Sequence, residues 1–375
     1  MMESKYKWVR LGDYIEARNE RNSDLRYGVE LIEGINSNGE FQKTKAVTDG
    51  IDMKPYKAVW KGDIAYNPSR LNIGSLAFRE EEMCIVSHLY QVFHVKEEYK
   101  NVLLPEYLLI YFKRKEFSRI VDYYNYGSQR AEFNLKKLGE LEIPLPALSE
   151  QQKIVNAWKA LREIKEQNEA IAAPLMQVCQ SYIQELKHKY ESVEIGPYIE
   201  ECNERNSDLK FGESQLRGVT SKGIFDKSKA KTEGLKFGNY KNVYKNNFAY
   251  NPSRINLGSI ALCNLNNCII SPMYVVFKIT ENGKNKLNEN YLNLWFRRTE
   301  FQRSTLFFAA GSVRDTFDFN AMQKVRIPLP PLSVQKAIVN IYNCANEAKK
   351  IAAEADRMSR EVCPALIQHA IYHNI

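Results

Sequence analysis

The hexapeptide AYNPSR occupies residues 65–70 and returns unchanged at residues 249–254, 184 residues later (249 − 65). The same offset carries NERNSDL from 19–25 to 203–209. It also pairs Gly34 with Gly218, Tyr56 with Tyr240, Gly74 with Gly258, Phe112 with Phe296, Gly127 with Gly311 and Gln151 with Gln335. No net insertion is needed along this alignment. A unit this long is far larger than a solenoid repeat, so each copy is expected to fold around its own core.

Each copy reads in two parts. The first is rich in aromatic residues, Gly, Asn and Lys, and reads as short strands joined by turns. GINSNGEF (34–41) and GVTSKGIF (218–225) place turn residues between apolar flanks. IVSHLYQVFHV (85–95) and IISPMYVVFKI (269–279) each read as one long strand. A helix is expected where Leu108, Tyr111 and Phe112 stand at i, i+3 and i+4, repeated by Leu292, Trp295 and Phe296.

The second part begins at LEIPLPALSEQQKIV (141–155) and VRIPLPPLSVQKAIV (325–339). Ser149 and Gln152 have capping-box spacing, and Ser333 can cap the second helix. A seven-residue period follows. Ile154, Leu161, Asn168, Leu175 and Tyr182 share one heptad position, and Ala157, Ile164, Ile171 and Val178 the other. Downstream the seam is Ile338, Ala345, Ala352 and Ser359, with Ile341, Ala348 and Ala355. Bulky knobs opposite alanines suit two helices packed on each other, each about 40 residues and roughly 60 Å long. Pro174 and Pro364 are expected to kink or split them. The expected fold is α+β, with strand-rich domains at 1–148 and 190–332 and helices at 149–189 and 333–375.

The 375 residues carry a formal net charge of +8, a mild excess that suits a polyanionic partner. No apolar run is long enough for a membrane span and the N-terminus has no apolar signal core, so a cytoplasmic protein is expected. The seven cysteines contain no CxxC pair and the five histidines no HExxH, so no metal site is expected. There is no GxxxxGK[ST] phosphate loop. Asn67-Pro68-Ser69 lacks the second proline and the aromatic of an amino-methyltransferase motif, and no FxGxG loop accompanies it. Glu185 and Lys187 form an ExK without an upstream Pro-Asp, which reads as a solvated helix face.

The polar signal is duplicated. Arg70 and Arg254 follow the same turn, and an arginine forks two hydrogen bonds to guanine or holds a phosphate. Asn72 and Asn256 suit adenine. Gln129 and Arg130 are matched by Val313 and Arg314. Lys43 and Lys45 return as Lys227 and Lys229, which suit phosphates. NERNSDL reads as a capped loop, through its Ser and Asp.

A strand-rich domain, then IPLPxLSxQxxIV, then a long helix, all occurring twice, resembles the specificity subunit of type I DNA restriction-modification systems. The resemblance covers essentially the whole chain. It implies two target recognition domains, each reading half of a split DNA site, and two long antiparallel helices that set their separation in a pseudo-two-fold arrangement. It implies no cofactor on this chain. S-adenosylmethionine, ATP and Mg are expected on partners: two methyltransferase (modification) subunits and restriction/translocase subunits. The two recognition domains are unusually alike for this family. Two other readings stay open at the level of sequence. One is a DNA methyltransferase or nuclease with degenerate motifs, and the other a stand-alone regulatory DNA-binding scaffold.

Overall fold

The computed structural model describes residues 6–44, 50–125, 132–228, 233–309 and 316–372. The chain divides into two compact units, residues 1–169 with 350–375, and residues 170–349.

In the first unit a four-stranded antiparallel sheet has the order Ile15–Ala17, Gln91–Val95, Ile64–Tyr66, Leu76–Phe78. The period of two explains its two faces. Ile15, Ile64, Tyr66, Leu76, Phe93 and Val95 join the large core with the helices, while Ala65, Ala77 and Val92 face a second cluster. That cluster includes Ile35, Val59, Cys84 and Val86, supplied by the hairpin Glu33–Ile35/Phe41–Lys43 and the pair Lys57–Trp60/Met83–Val86. Alanine on the second face lets this layer approach closely. Both faces are buried, so the strands read as nearly continuous apolar runs.

The second unit has the same order: Ile199–Glu201, Val275–Ile279, Phe248–Tyr250, Ile260–Leu262. Phe248, Tyr250, Ile260 and Phe277 enter its large core. Ala249, Ala261 and Val276 enter the smaller one with Val219, Val243, Cys268 and Ile270. The register agrees as well, with Tyr66 opposite Leu76 and Gln91, and Tyr250 opposite Ile260 and Val275.

The runs 85–95 and 269–279 are not single strands. Met83–Val86 and Gln91–Val95 are separated by a turn closed by Tyr90 N–H donating to the Ser87 carbonyl at 3.0 Å. Asn267–Ile270 and Val275–Ile279 are separated in the same way, with Tyr274 N–H donating to Ser271. Each run feeds two sheets, and alternation alone does not mark the crossing.

The apolar helices form at Pro105–Phe112 and Glu289–Phe296, nearly all their side chains buried. A glutamine fastens each to the motif that follows. Gln151 is fully buried; its Nε2 donates to the carbonyls of Val102 (2.8 Å) and Pro146 (2.9 Å), and its Oε1 accepts from Leu104 N–H at 2.9 Å. Gln335 repeats the clasp with Lys286, Pro330 and Asn288.

The long helices run over Leu148–Lys189 and Leu332–Arg357, the second followed by a π turn, Met358–Val362, and a last helix, Cys363–Tyr372. The Ser149–Gln152 capping box is not formed. The helix already includes Leu148, and Gln152 Nε2 donates to Asn156 Oδ1 at 2.8 Å. Pro174 neither ends nor splits its helix, whereas Pro364 stands just after the π turn, where the helical ladder changes.

Burial of the helices departs from the heptad expectation on the first helix. Ile154, Leu161 and Leu175 are half-buried, while Ile164 and Ile171 stay 40 % and 51 % exposed. The buried residues are Val155, Trp158, Ala172, Cys179, Ile183 and Leu186. The shift has a physical cause: the helix must also cover its own unit, and Val155 and Trp158 are drawn into the core that holds Cys363 and Ile367. On the second helix Ile338, Ala345, Ala348 and Ala352 are buried and Ile341 is half-buried. Within the first unit Lys165 Nζ stands 3.1 Å from Asp356; within the second, Cys179 lies against the Ile338 carbonyl. No helix among the described residues is long and apolar enough to cross a membrane.

Candidate nucleic-acid interface

Tyr66 and Tyr250 are the last buried residues of their strands, each with no exposed surface. The chain must then turn. Asn67 Oδ1 accepts from Ser69 N–H at 3.0 Å, and Asn251 Oδ1 from Ser253 N–H at 3.0 Å, an Asx turn around a proline that fixes φ. Arg70 N–H closes the turn on the Asn67 carbonyl, and Arg254 N–H on Asn251. A one-turn 3-10 helix follows and ends at Gly74 or Gly258. These glycines have φ of +93° and +87°, and a Cβ would meet the Ser37 or Ser221 carbonyl oxygen at 2.5 and 2.6 Å. Only glycine fits.

The result holds Arg70 and Arg254 out from the sheet end. Both are exposed, and neither guanidinium has a hydrogen-bond or ion-pair partner among the described residues. A guanidinium fork on a built turn, without a partner among the described residues, is free to engage a phosphate or a guanine edge.

The neighbouring candidates divide. Asn72 Nδ2 donates to Asp122 Oδ1 at 2.9 Å, so its amide is already engaged. Its counterpart Asn256 lacks that pair, because position 306 is leucine. Lys43 Nζ donates to the Glu30 carbonyl and stands 3.7 Å from Glu33 Oε1, so its charge serves the domain. Lys227 is exposed with no side-chain partner among the described residues. Lys45, Gln129, Arg130, Lys229 and Arg314 lie outside the described residues. The chain re-enters beside the turn: Phe133 N–H donates to the Pro68 carbonyl and Phe317 N–H to Pro252, each at 3.1 Å. Arg130 and Arg314 stand three residues before these anchors.

Three features were missed from sequence. Lys57 and Lys241 are buried, and burial lowers both amine pKa values. Lys57 Nζ donates to the Tyr90 carbonyl at 2.6 Å and so pins the turn between the sheets. Two lysines 184 apart in strands of buried residues were the available signal. The NERNSDL loop is capped by its aspartates, Asp24 Oδ1 accepting from Arg26 N–H at 3.4 Å and Asp208 Oδ1 from Lys210 N–H at 3.3 Å, and also through Asn22 and Asn206. Asn22 exchanges hydrogen bonds with Tyr27, and Asn206 with Phe211. Its leucines, Leu25 and Leu209, adopt φ of +54° and +55°, a left-handed backbone unusual for leucine, and both are exposed. Finally, Leu89 and Met273 project from the turns that the strand reading overlooked.

Glu185 of the ExK pairs with Lys189 at 2.7 Å, as a solvated helix face does. All seven cysteines are free thiols.

Both units therefore end a sheet in the same arginine-bearing turn, and known proteins share parts of this arrangement. Residues 3–173 match the family model of the type I restriction modification DNA specificity domain. That stretch of the chain is similar to a type I restriction-modification specificity domain. No curated protein matches it. The S subunit of the type I restriction-modification system from M. genitalium shares its mixed helix-and-sheet fold, with TM-score 0.62 and 11 % identity, over 100 % of this chain and 98 % of that one. The HsdS subunit from Thermoanaerobacter tengcongensis is 17 % identical over 99 % of this chain and 97 % of its own, with TM-score 0.45. A chain from a type I R-M system, solved in work on its assembly and conformational transition, is 16 % identical over 99 % and 98 %, with TM-score 0.44.

Proposed function

We propose that this chain recognises a two-part duplex DNA sequence and positions methyltransferase subunits on it. Residues 1–148 and 190–332 are the two target recognition domains. Residues 149–189 and 333–375 are the spacer helices, packed antiparallel, which relate the domains by a pseudo-two-fold axis. The observation that carries this reading is the repeated sheet end: the same turn, from the same hexapeptide, holds an exposed arginine without a side-chain partner among the described residues in both units. A site present twice on one chain suits a ligand that presents itself twice, and duplex DNA repeats its major groove about every 34 Å.

The division of labour follows. Arg70, Arg254 and Lys227 supply the contacts that place each domain, and Gln129, Arg130 and Arg314 supply further contacts to DNA. Two methyltransferase subunits bring S-adenosylmethionine and the methyl transfer; restriction subunits bring ATP, Mg and cleavage. This chain carries the choice of sequence. Because the domains are alike and one is turned over relative to the other, the two half-sites form an imperfect inverted repeat.

The test is coexpression of the full chain with its methyltransferase subunit, followed by mapping of methylated bases by single-molecule sequencing. A split motif, methylated only when both proteins are present, is expected. Methylation by this chain alone, or a motif with two unrelated halves, would overturn the enzyme-free or the duplicated reading respectively.

A further inference from the structure

We infer that Leu89 and Met273 are apolar base readers, each contacting the 5-methyl group of a thymine in the major groove of its half-site. The inference rests on the DNA-reading function proposed above and adds a specificity element to it.

The placement follows from the register. Tyr66 pairs with Gln91, so the turn that leaves strand Ile64–Tyr66 and the turn that enters strand Gln91–Val95 lie side by side at one end of the sheet. The first carries Arg70; the second carries Leu89. In the second unit Tyr250 pairs with Val275, and the same register sets the turn carrying Arg254 beside the turn carrying Met273. Leu89 and Met273 are each 60 % exposed. Single exposed aliphatics are ordinary on a protein surface. Here both copies place one at the same position, on the turn adjoining an arginine that has no side-chain partner among the described residues.

The turns are held rather than loose. Tyr90 Oη accepts from Ile35 N–H at 3.2 Å, Lys57 Nζ grips the Tyr90 carbonyl, and Tyr90 N–H closes the turn on Ser87. Tyr274 Oη accepts from Val219 N–H at 3.4 Å, and Pro272 fixes φ one residue before Met273. An apolar tip is thereby held on the turn adjoining the one that carries the arginine. The charge complements a phosphate backbone, and the only apolar feature on a base edge in the major groove is the thymine methyl. A leucine or methionine side chain has no strong hydrogen-bonding group with which to read anything else.

The experiment uses the full chain in complex with its methyltransferase subunits and the mapped duplex, with thymines replaced one at a time by uracil, which removes only the methyl. Wild type is expected to lose roughly fourfold in affinity at one position in each half, about the value of one buried methyl. Leu89→Ala should abolish that sensitivity in one half and leave the other intact, and Met273→Ala should do the converse. Leu89→Met, with an unchanged melting curve, should retain it. The proposal is overturned if no thymine shows the effect, if Leu89→Ala binds as wild type does, or if it weakens thymine and uracil duplexes equally, as a wedge between base steps would. In each of these cases a wild-type complex that still prefers the mapped duplex keeps the DNA-reading function intact. A wild-type complex with no such preference would remove that function as well.

Discussion

Where the first unit has Glu33, the second has Arg217, and where the first has Arg79, the second has Cys263. In the first unit the buried Arg79 donates to Glu33 at 2.9 Å, with Lys43 and Glu81 at the edges of the same network. In the second, Arg217 donates to the carbonyls of Ser214 and Leu216, each at 2.8 Å, and the Lys227 ammonium has no ion-pair partner among the described residues. A third exchange lies at positions 113 and 297. Arg297 donates to the carbonyls of Gly258 and Ile260 at 2.7 Å each, while its counterpart Lys113 has no such bond and sits over the Trp158 ring. The strand order survives all three exchanges because the alternation of large and small apolar residues sets it. Charge is therefore free to differ between units, and the hairpin face of the second unit is the more cationic. That is where the two half-sites have room to diverge.

The comparison is broken most severely at the glutamine clasps. Gln151→Leu leaves two buried carbonyls and one N–H unpaired, at about 3 kcal/mol in total. Gln335→Leu should cost the same, and chemical denaturation that finds only one of them costly would show that the units are not equivalent scaffolds.

Recognition comes next. Arg70→Ala and Arg254→Ala should each weaken specific binding by about 1–3 kcal/mol if the arginine reads a base. Each loss should be confined to one half-site. An equal fall in specific and non-specific binding would assign the guanidinium to phosphate.

The exchange at 113 and 297 predicts effects of opposite sign. Burial, with Arg162 and Arg360 nearby, lowers the Lys113 amine from 10.5 to about 8. Between these values the unfolded chain binds the proton and the folded chain does not, so this group makes stability rise from pH 8 to about 10.5. Below pH 8 both states are charged and the burial penalty stands in full. Lys113→Met should therefore stabilise the protein at pH 7, by about 1 kcal/mol, and flatten the alkaline rise. Arg297→Met should instead destabilise it by about 1–2 kcal/mol through the lost carbonyl partners. A Lys113→Met variant that melts lower at pH 7 would refute the burial argument.

The smallest effect tests a feature both units share. Leu25→Asn and Leu209→Asn each relieve a left-handed leucine, since asparagine tolerates that backbone. A gain of roughly 0.5–1 kcal/mol is expected in each. No gain would mean that packing of the leucine side chain, such as Leu209 against Gly238, offsets the backbone cost.

Several of these residues were visible in the sequence and others were not. The 184-residue offset located Arg70 and Arg254, because a tight turn between buried strands needs the same Asn, Pro and Gly in each copy. Asn72 looked equally free, yet Asp122, fifty residues away, takes its amide. Lys43 looked like a phosphate contact, but Glu30 and Glu33 hold it. Ionic and amide partners are chosen across strands, and one-dimensional spacing does not carry them. Leu89 and Met273 disappeared into apparent strands, since a β-branched and aromatic run looks the same whether it stays in one sheet or crosses to another. On the first long helix the heptad pattern predicted a face toward a partner helix. The domain core drew Val155 and Trp158 inward instead, leaving Ile164 and Ile171 outside.

By itself the sequence determined that one fold is written twice, that each copy ends in the IPLPxLSxQ motif and a long helix, and that the repeated arginine turns stand out from both. These follow from local chemistry: apolar period, turn residues and prolines act within a few positions. Tertiary structure alone decided which charges have partners, which turns present an exposed aliphatic tip, and which helix residues are buried. Those outcomes depend on which distant backbone and side-chain groups meet once both faces of the sheet have been covered.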